Sequence, residues 1–444
     1  MPDTKFQYRV TSGWIRDLAS QPTPTDTWPC IRWDDQLVED QERFLDAQAE
    51  LGVEYNSVWG LFVDREWPSP LTNVIDDHRA ELVRGFADAC HQRGLKLETG
   101  CGVYSWGFDQ IIRKHPEVSA DEANRHVMCP FREAAWEWQR RVLDYLMDER
   151  WGLDGISMQS ADQGRCQCPK CKARSSAEHH ADLITRCAQY VRAARPDWTI
   201  ATACWGLSVH NPDDFPHIQH IAKHVDYLIE VSEQSAYGEV NQRPRITREL
   251  GCAFGSVGGV FAEPPQHWDR LRWFLPCGLG AARALRRLWD DGGRACTLYY
   301  RTFASPVEEV SWRVGARILS APQTDPHDAL KEALSAVYHV WGEAREQLAD
   351  WFERAENAYF SRAKFKVGQG PISLEPLWWN ENPATPGPPS YLIERTTPES
   401  RADYAAELRQ LKAELPAIAV PAFDAIASTL LCIDGTLADI ESLK

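Results

Sequence analysis

Two periodicities take turns along the chain from its N-terminus to about residue 320. Short segments alternate apolar and polar residues with period 2, as a strand with one buried face does, and longer ones repeat apolar residues every three to four positions, as an amphipathic helix does. The strand segments are Tyr8 to Trp14, Val53 to Trp59, Leu95 to Cys101, Leu153 to Ser160, Thr199 to Trp205, Val225 to Val231, Cys252 to Val260 and Ala295 to Arg301. Helical patterns fill the intervals, among them Asp34 to Leu51, Asp76 to Arg93, Arg132 to Arg150 and Ser176 to Ala194. Ser175 with Glu178 reads as a capping box, and Gly52, Gly94 and Gly152 each stop a helix just before the next strand.

Eight strand–helix units in regular alternation predict an α/β fold, a closed (β/α)8 TIM barrel. No glycine-rich dinucleotide fingerprint follows the first strand, which speaks against an open doubly wound sheet. Beyond Pro322 the period-2 signal stops, and His327 to Trp341, Glu343 to Phe360 and Arg401 to Ala413 are helical, interrupted by the Pro-rich run NENPATPGPPS. The expected organisation is a catalytic barrel over residues 1–322 and a C-terminal helical domain over 323–444, suited to homo-oligomerisation.

In a barrel strand one parity faces the helices and the other the interior, and chemistry sits at the C-terminal mouth. In the third strand Leu95, Leu97 and Thr99 read as outward, leaving Lys96, Glu98 and Gly100 inward; in the fourth, Ile156 and Met158 face out against Gly155, Ser157 and Gln159. In the sixth, Tyr227, Ile229 and Val231 are assigned outward and Leu228, Glu230 and Ser232 inward; in the eighth, Tyr299 and Arg301 point in. Asp162 and Glu233 follow strand ends in loops, and Glu263 follows the seventh strand.

Hydrophobic residues make up 43% of the chain and charged residues 25%, as expected for a globular core. The net charge of −16, without a basic tract, disfavours nucleic acid and anionic membrane surfaces as partners. The start MPDTKFQYRV has neither a basic n-region nor an apolar h-region, and the odd number of 13 cysteines suits reduced thiols, so a cytoplasmic location is expected.

Tryptophan is abundant, 19 in all, and Trp14, Trp59, Trp106, Trp205 and Trp289 fall at or beyond strand ends. Indole faces stack on the apolar faces of pyranose rings, whereas Trp136, Trp138 and Trp151 read as helix packing. Glycosidic cleavage needs a carboxylic acid to protonate the leaving oxygen and a second carboxylate as base or nucleophile. Asp162 as acid and Glu230 as its partner are the candidate pair, with Glu233 and Glu263 in reserve. Glu98, Trp59, Trp106, Gln159, Trp205, Glu233, Trp289, Tyr299 and Arg301 are the candidate substrate contacts. No cofactor is expected in the chemistry itself.

Cys166, Cys168 and Cys171 form a CxCxxC run with the spacing of a structural zinc site, which needs a fourth ligand. Cys129, His179 and His180 are the candidates, and the alternatives are three packed reduced thiols or one disulfide in an exported homologue.

HPEV at 115–118, MCP at 128–130, DGI at 154–156, Asp162 and CQCPKC at 166–171 together resemble a poorly characterised family of glycosidase-like barrels. That family is similar to α-glucuronidases and, more distantly, to hexosaminidase barrels. The resemblance implies a (β/α)8 catalytic domain, a carbohydrate substrate and an active-site acid at Asp162. Hexosaminidase barrels carry adjacent Asp and Glu at this point, whereas Gln163 follows Asp162 here, and the α/β domain that precedes the barrel in α-glucuronidases is not expected. A glycoside hydrolase leads the readings. The alternatives are a lyase or isomerase of sugar acids with a divalent metal on Glu98, Glu230 and a histidine, and a barrel that binds carbohydrate without turning it over.

Overall fold

The structure is a computed structural model, and it describes residues 4–14, 35–63, 66–121, 126–160, 164–204, 207–209, 211–230, 248–261, 274, 276–299, 303, 305–358, 397–418 and 421–442. At residues 14, 35–40, 230, 256–261, 299, 439 and 442 the description is of the backbone. Eight parallel strands close into a barrel in sequence order. They are β1 (Tyr8–Trp14), β2 (Tyr55–Trp59), β3 (Lys96–Gly102), β4 (Gly155–Gln159), β5 (Thr199–Ala203), β6 (Tyr227–Glu230), β7 (Ala253–Phe261) and β8 (Ala295–Tyr299). β8 returns to β1 with Tyr8 opposite Ala295 and Ser12 opposite Tyr299, so no edge is left to pair with another chain. The (β/α)8 prediction is met, with strand ends moved by a residue or two.

Helices cover the outside: α1 (Asp35–Leu51), α2 (Asp77–Gln92), α3 (Asp109–Lys114), α4 (Glu133–Leu146), α5 (Pro169–Lys172), α6 (Ser176–Ala194), α7 (Phe215–Ala222), α8 (Gly278–Asp290) and α9 (Pro306–Ser320). The Asp76 carboxylate accepts from Arg79 N to start α2, and Ser175 accepts from Glu178 N to start α6. The helical pattern expected to run to Arg150 breaks earlier. α4 ends at Leu146, and the Asp148 side chain caps a separate turn over Glu149–Trp151.

Strand parity shows in the packing. Leu97, Ile156, Met158, Ile200, Leu228 and Phe254 belong to an apolar layer shared with α2, α4, α6 and α7. Val10, Tyr55, Ala201, Tyr227, Ile229 and Ala295 form a separate cluster within the barrel. This corrects the sixth strand, where Tyr227 and Ile229 face in and Leu228 faces the helices. Apolar content misled because the lower interior is itself filled with tyrosines and aliphatic residues. Glu230, the last residue of β6, falls on the parity of Leu228.

The chain continues as α10 (Pro326–Tyr338), α11 (Gly342–Asn357), α12 (Pro398–Glu414) and α13 (Phe423–Ser442). α13 has no counterpart among the expected helices, and the Pro-rich run lies outside the described residues. These helices share one apolar core with α8 and α9: Leu279, Trp312, Leu334, Trp351, Tyr404 and Ile433 are all buried in it. Glu356 of α11 reaches across to accept from Leu279 N at 2.9 Å and Gly280 N at 2.5 Å, satisfying orphan donors in the first turn of α8. Among the described residues no helix is long and apolar enough to cross a membrane.

Candidate functional site

The barrel interior divides into a filled floor and, towards the mouth on the β3 and β4 side, positions that are partly exposed. At the floor Tyr8 stacks on Tyr227 with ring centroids 4.7 Å apart, and Tyr55 lies 5.5 Å from Tyr8. Among them sits Glu98, fully buried, accepting a 2.7 Å hydrogen bond from the Tyr227 hydroxyl while its Oε1 has no hydrogen-bond partner. Burial pushes the Glu98 carboxyl up to about 8, against the lowering effect of Tyr227, so it is held protonated at neutral pH. Its register partners are Ser57 and Gly155, and Gly155 opens β4. Glu98 was expected among the substrate contacts. It points inward as expected, but it stands two inward positions below the end of β3, and it is a floor group.

Above it the interior opens on the side of β2, β3 and β4. Trp59, the last residue of β2, lays its indole against Gly100, where a Cβ would overlap the ring atoms. A glycine at that inward position is what lets the indole enter the barrel. Gly102 is likewise closed over by the backbone carbonyls of Ser105 and Trp106. Trp106 meets Trp59 edge-on, centroids 5.2 Å apart and planes at 66°. Gly60, Leu61, Phe62, Val63, Trp67 and Trp106 line a small crevice beside Gly100 and Gly102. Gly100, Ser157, Gln159, Ala203 and Trp106 are all partly exposed, so solvent reaches this part of the interior.

The β3 loop that carries Trp106 is held in an uncommon conformation, with Tyr104 at φ 59° and Trp106 at φ 61°. Three contacts fix it. Tyr104 N donates to Gln139 Oε1 at 2.9 Å, Met128 N donates to Tyr104 O at 2.7 Å, and Val103 N donates to Gln159 O at 2.8 Å. Bulky residues in left-handed backbone cost free energy and need such over-determination.

At the end of β4 Ser160 and His180 make a close, buried hydrogen bond between the hydroxyl and Nδ1. Burial, with His179 alongside, brings His180 down to about 4, so the ring is neutral there. This pair anchors the strand end from α6. Residue type alone did not single it out, although the tandem histidines on the buried face of α6 were a usable signal.

Cys129 and the three cysteines of the CxCxxC run converge. Their four sulfur atoms lie within 4.8 Å of one another, with Cys129 Sγ 3.9 Å from Cys168 and 4.0 Å from Cys171. Cys129, Cys166 and Cys171 are buried and Cys168 is partly exposed. Burial, reinforced by the neighbouring sulfurs, pushes the Cys171 thiol up to about 12. The fourth ligand position expected from sequence is filled by Cys129, and neither His179 nor His180 joins the group. The set can bind a structural metal ion.

The remaining candidates fall as follows. Trp289 lies one residue before the end of α8, a helix that runs back from the mouth, and its ring packs on Phe6 at 5.3 Å with the Arg294 guanidinium over its face at 3.9 Å. It belongs to the outer layer near the barrel floor, a correction to its expected place at the mouth. It was misplaced because α8 is followed closely by β8. Glu230 ends β6 opposite Ser256, and Tyr299 ends β8, both described in backbone. Asp162, Trp205, Glu233, Glu263 and Arg301 lie outside the described residues.

No family model matches the sequence, and no curated protein does. Among solved structures the chain is similar to a mutant O-GlcNAc hydrolase of Thermobaculum terrenum, with a TM-score of 0.51 at 11% identity over 95% of this chain and 80% of the other. It is similar to CpGH84B, with a TM-score of 0.51 at 10% identity over 98% of this chain and 69% of that one. It also resembles a GH138 enzyme targeting pectin rhamnogalacturonan II, with a TM-score of 0.58 at 10% identity over 98% of this chain and 57% of that one. These likenesses place the chain in the (β/α)8 barrel class with appended helices.

Proposed function

We propose that the chain is a glycoside hydrolase acting on a small oligosaccharide or glycoside at the mouth of the barrel. The observation that carries this reading is the arrangement at the ends of β2 and β3, where Gly100 admits the Trp59 indole, set edge to face with the partly exposed Trp106 and near the partly exposed Gln159. That is a surface for the apolar face of a pyranose ring with a polar group at its rim. The activities named for two of the structural neighbours, an O-GlcNAc hydrolase and an enzyme targeting pectin rhamnogalacturonan II, support the same class.

Asp162 acts as general acid from the segment after β4, which the Ser160–His180 pair anchors at its start. The second carboxylate comes from the segment that begins at Glu230. The corrected parity of β6 moves weight from Glu230 towards Glu233, and both belong in the test. Trp59, Trp106, Gln159, Trp205, Tyr299 and Arg301 contact the sugar. The chain from 323 onward serves as a helical domain that buttresses the barrel, and self-association through it is part of the proposal. The reaction runs on carboxylates. The lyase alternative loses its support because Glu98 is bonded to Tyr227 at the floor, and among the described residues the sole grouping of three or more metal-ligating side chains is the four cysteines.

The test is turnover on a panel of aryl glycosides. On any glycoside the native protein cleaves, Asp162→Asn should lose about 10²- to 10⁴-fold in kcat, and one of Glu230→Gln and Glu233→Gln should fall comparably. Near-native turnover by Asp162→Asn sinks the assignment. Sugar binding by the native protein with no turnover selects the non-catalytic reading.

A further inference from the structure

Outside the crevice, one side-chain cluster has geometry that neither packing nor the proposed reaction uses. Four cysteine sulfurs gather from two separate loops: Cys129 from the segment after β3, and Cys166, Cys168 and Cys171 from the segment after β4. A tetrahedral zinc with Zn–S bonds of about 2.3 Å holds its sulfurs about 3.8 Å apart. The observed 3.9 and 4.0 Å between Cys129 and its two partners match that edge, and they are nearly double the S–S bond of about 2.05 Å that a disulfide requires. Val127 and Ala120 pack around the sulfurs, and among the described residues no carboxylate or imidazole enters the group.

We infer that Cys129, Cys166, Cys168 and Cys171 form a closed thiolate site for one divalent thiophilic ion, zinc by preference, which staples the β3 loop to the β4 loop. With four sulfurs supplied by the protein no coordination position is open, so the ion is structural. Its mechanical reach follows from the backbone. Cys129 N donates to Val118 O at 2.8 Å, the adjacent Met128 N donates to Tyr104 O at 2.7 Å, and Tyr104 stands two residues before Trp106. On the other side Gln167 N donates to Asp121 Oδ2 at 2.8 Å, and Arg165 donates to the carbonyls of Arg174 and Ser175 at the start of α6. The ion therefore joins the two loops beside the Gln167–Asp121 hydrogen bond that already crosses between them. This inference stands whether or not the chain is a glycosidase, because its readout is the metal.

The experiment is metal analysis of the full chain purified from zinc-supplemented culture and passed over chelating resin, followed by replacement with cobalt. One zinc per chain is expected, and the cobalt form should show sulfur-to-cobalt charge transfer with the visible bands of a tetrahedral thiolate site. Cys129→Ser should lower retained zinc by about tenfold or more, whereas Cys129→His, which keeps a zinc ligand, should retain it, and Cys252→Ser, outside the cluster, should match the native chain. If Cys129→Ser does not fold, the cobalt spectrum of the native chain decides by itself. No bound metal after zinc supplementation, or a cobalt spectrum lacking thiolate charge transfer, overturns the site.

Discussion

The floor and the mouth of this barrel are built from the same alternating strands and end in opposite states. At the floor the inward positions are Tyr8, Tyr55, Tyr227 and Glu98, large side chains that meet across the axis and leave Glu98 fully buried. Towards the mouth the inward positions on β3 are Gly100 and Gly102, and the space they vacate is taken by the Trp59 indole and by the Ser105 and Trp106 carbonyls of the loop. The floor is a packed plug with a neutral carboxyl, and the mouth on the β3 side carries small inward residues, Trp59 and Trp106, and partly exposed positions that solvent reaches. A carboxyl pushed up to about 8 is commonly a functional signal, and here it marks a group held away from the site by its own burial.

If the floor is a packed plug, adding one methyl there should be costly. A Cβ at Gly255 would overlap the backbone carbonyl of Ala295, which cannot turn aside. Gly255→Ala is expected to lose about 3 kcal/mol or more, the upper end of overpacking penalties, in urea unfolding. Gly100→Ala, blocked by the Trp59 side chain beside the opening, should lose less. Equal losses would erase the distinction between the two ends.

The next effect depends on pH. Folded, Glu98 keeps its proton up to about pH 8, whereas the unfolded chain releases it near 4.5. Between those values the folded state binds more protons than the unfolded one, so stability falls as pH rises, by at most about 1.4 kcal/mol per pH unit, and levels off above the folded value. Glu98→Gln removes that slope and keeps an acceptor for Tyr227. Unfolding midpoints at about pH 5 and about pH 8 should show the variant gaining on the native chain more at the higher pH. The same gain at both would place the carboxyl in contact with water.

Much of this was written in the sequence, for reasons the structure makes visible. The barrel was legible because its outer layer repeats: Leu97, Ile156, Met158 and Leu298 each alternate with smaller or polar inward residues. The sixth strand misled because Tyr227 and Ile229 are as apolar as an outward pair, and their inward role depends on Glu98, 129 positions away along the chain. The cysteine site was half legible. Its local run of three is a spacing signal, whereas choosing Cys129 over the histidines required the fold to bring position 129 beside position 168. The two tryptophans separated for the same reason. Trp59 ends a strand and Trp289 nearly ends a helix, and these are opposite ends of the barrel.

That last contrast supplies the most direct measurement of the claim that carbohydrate chemistry belongs to the mouth. On a glycoside cleaved by the native protein, kcat/KM is measured for Trp59→Ala and Trp289→Ala, normalised to folded protein. Trp59→Ala should fall about ten- to a hundredfold, about 1 to 3 kcal/mol of lost transition-state binding, while Trp289→Ala stays within about threefold of the native value. Native kcat/KM in Trp59→Ala, or an equal fall in both variants, would contradict a sugar site at the mouth.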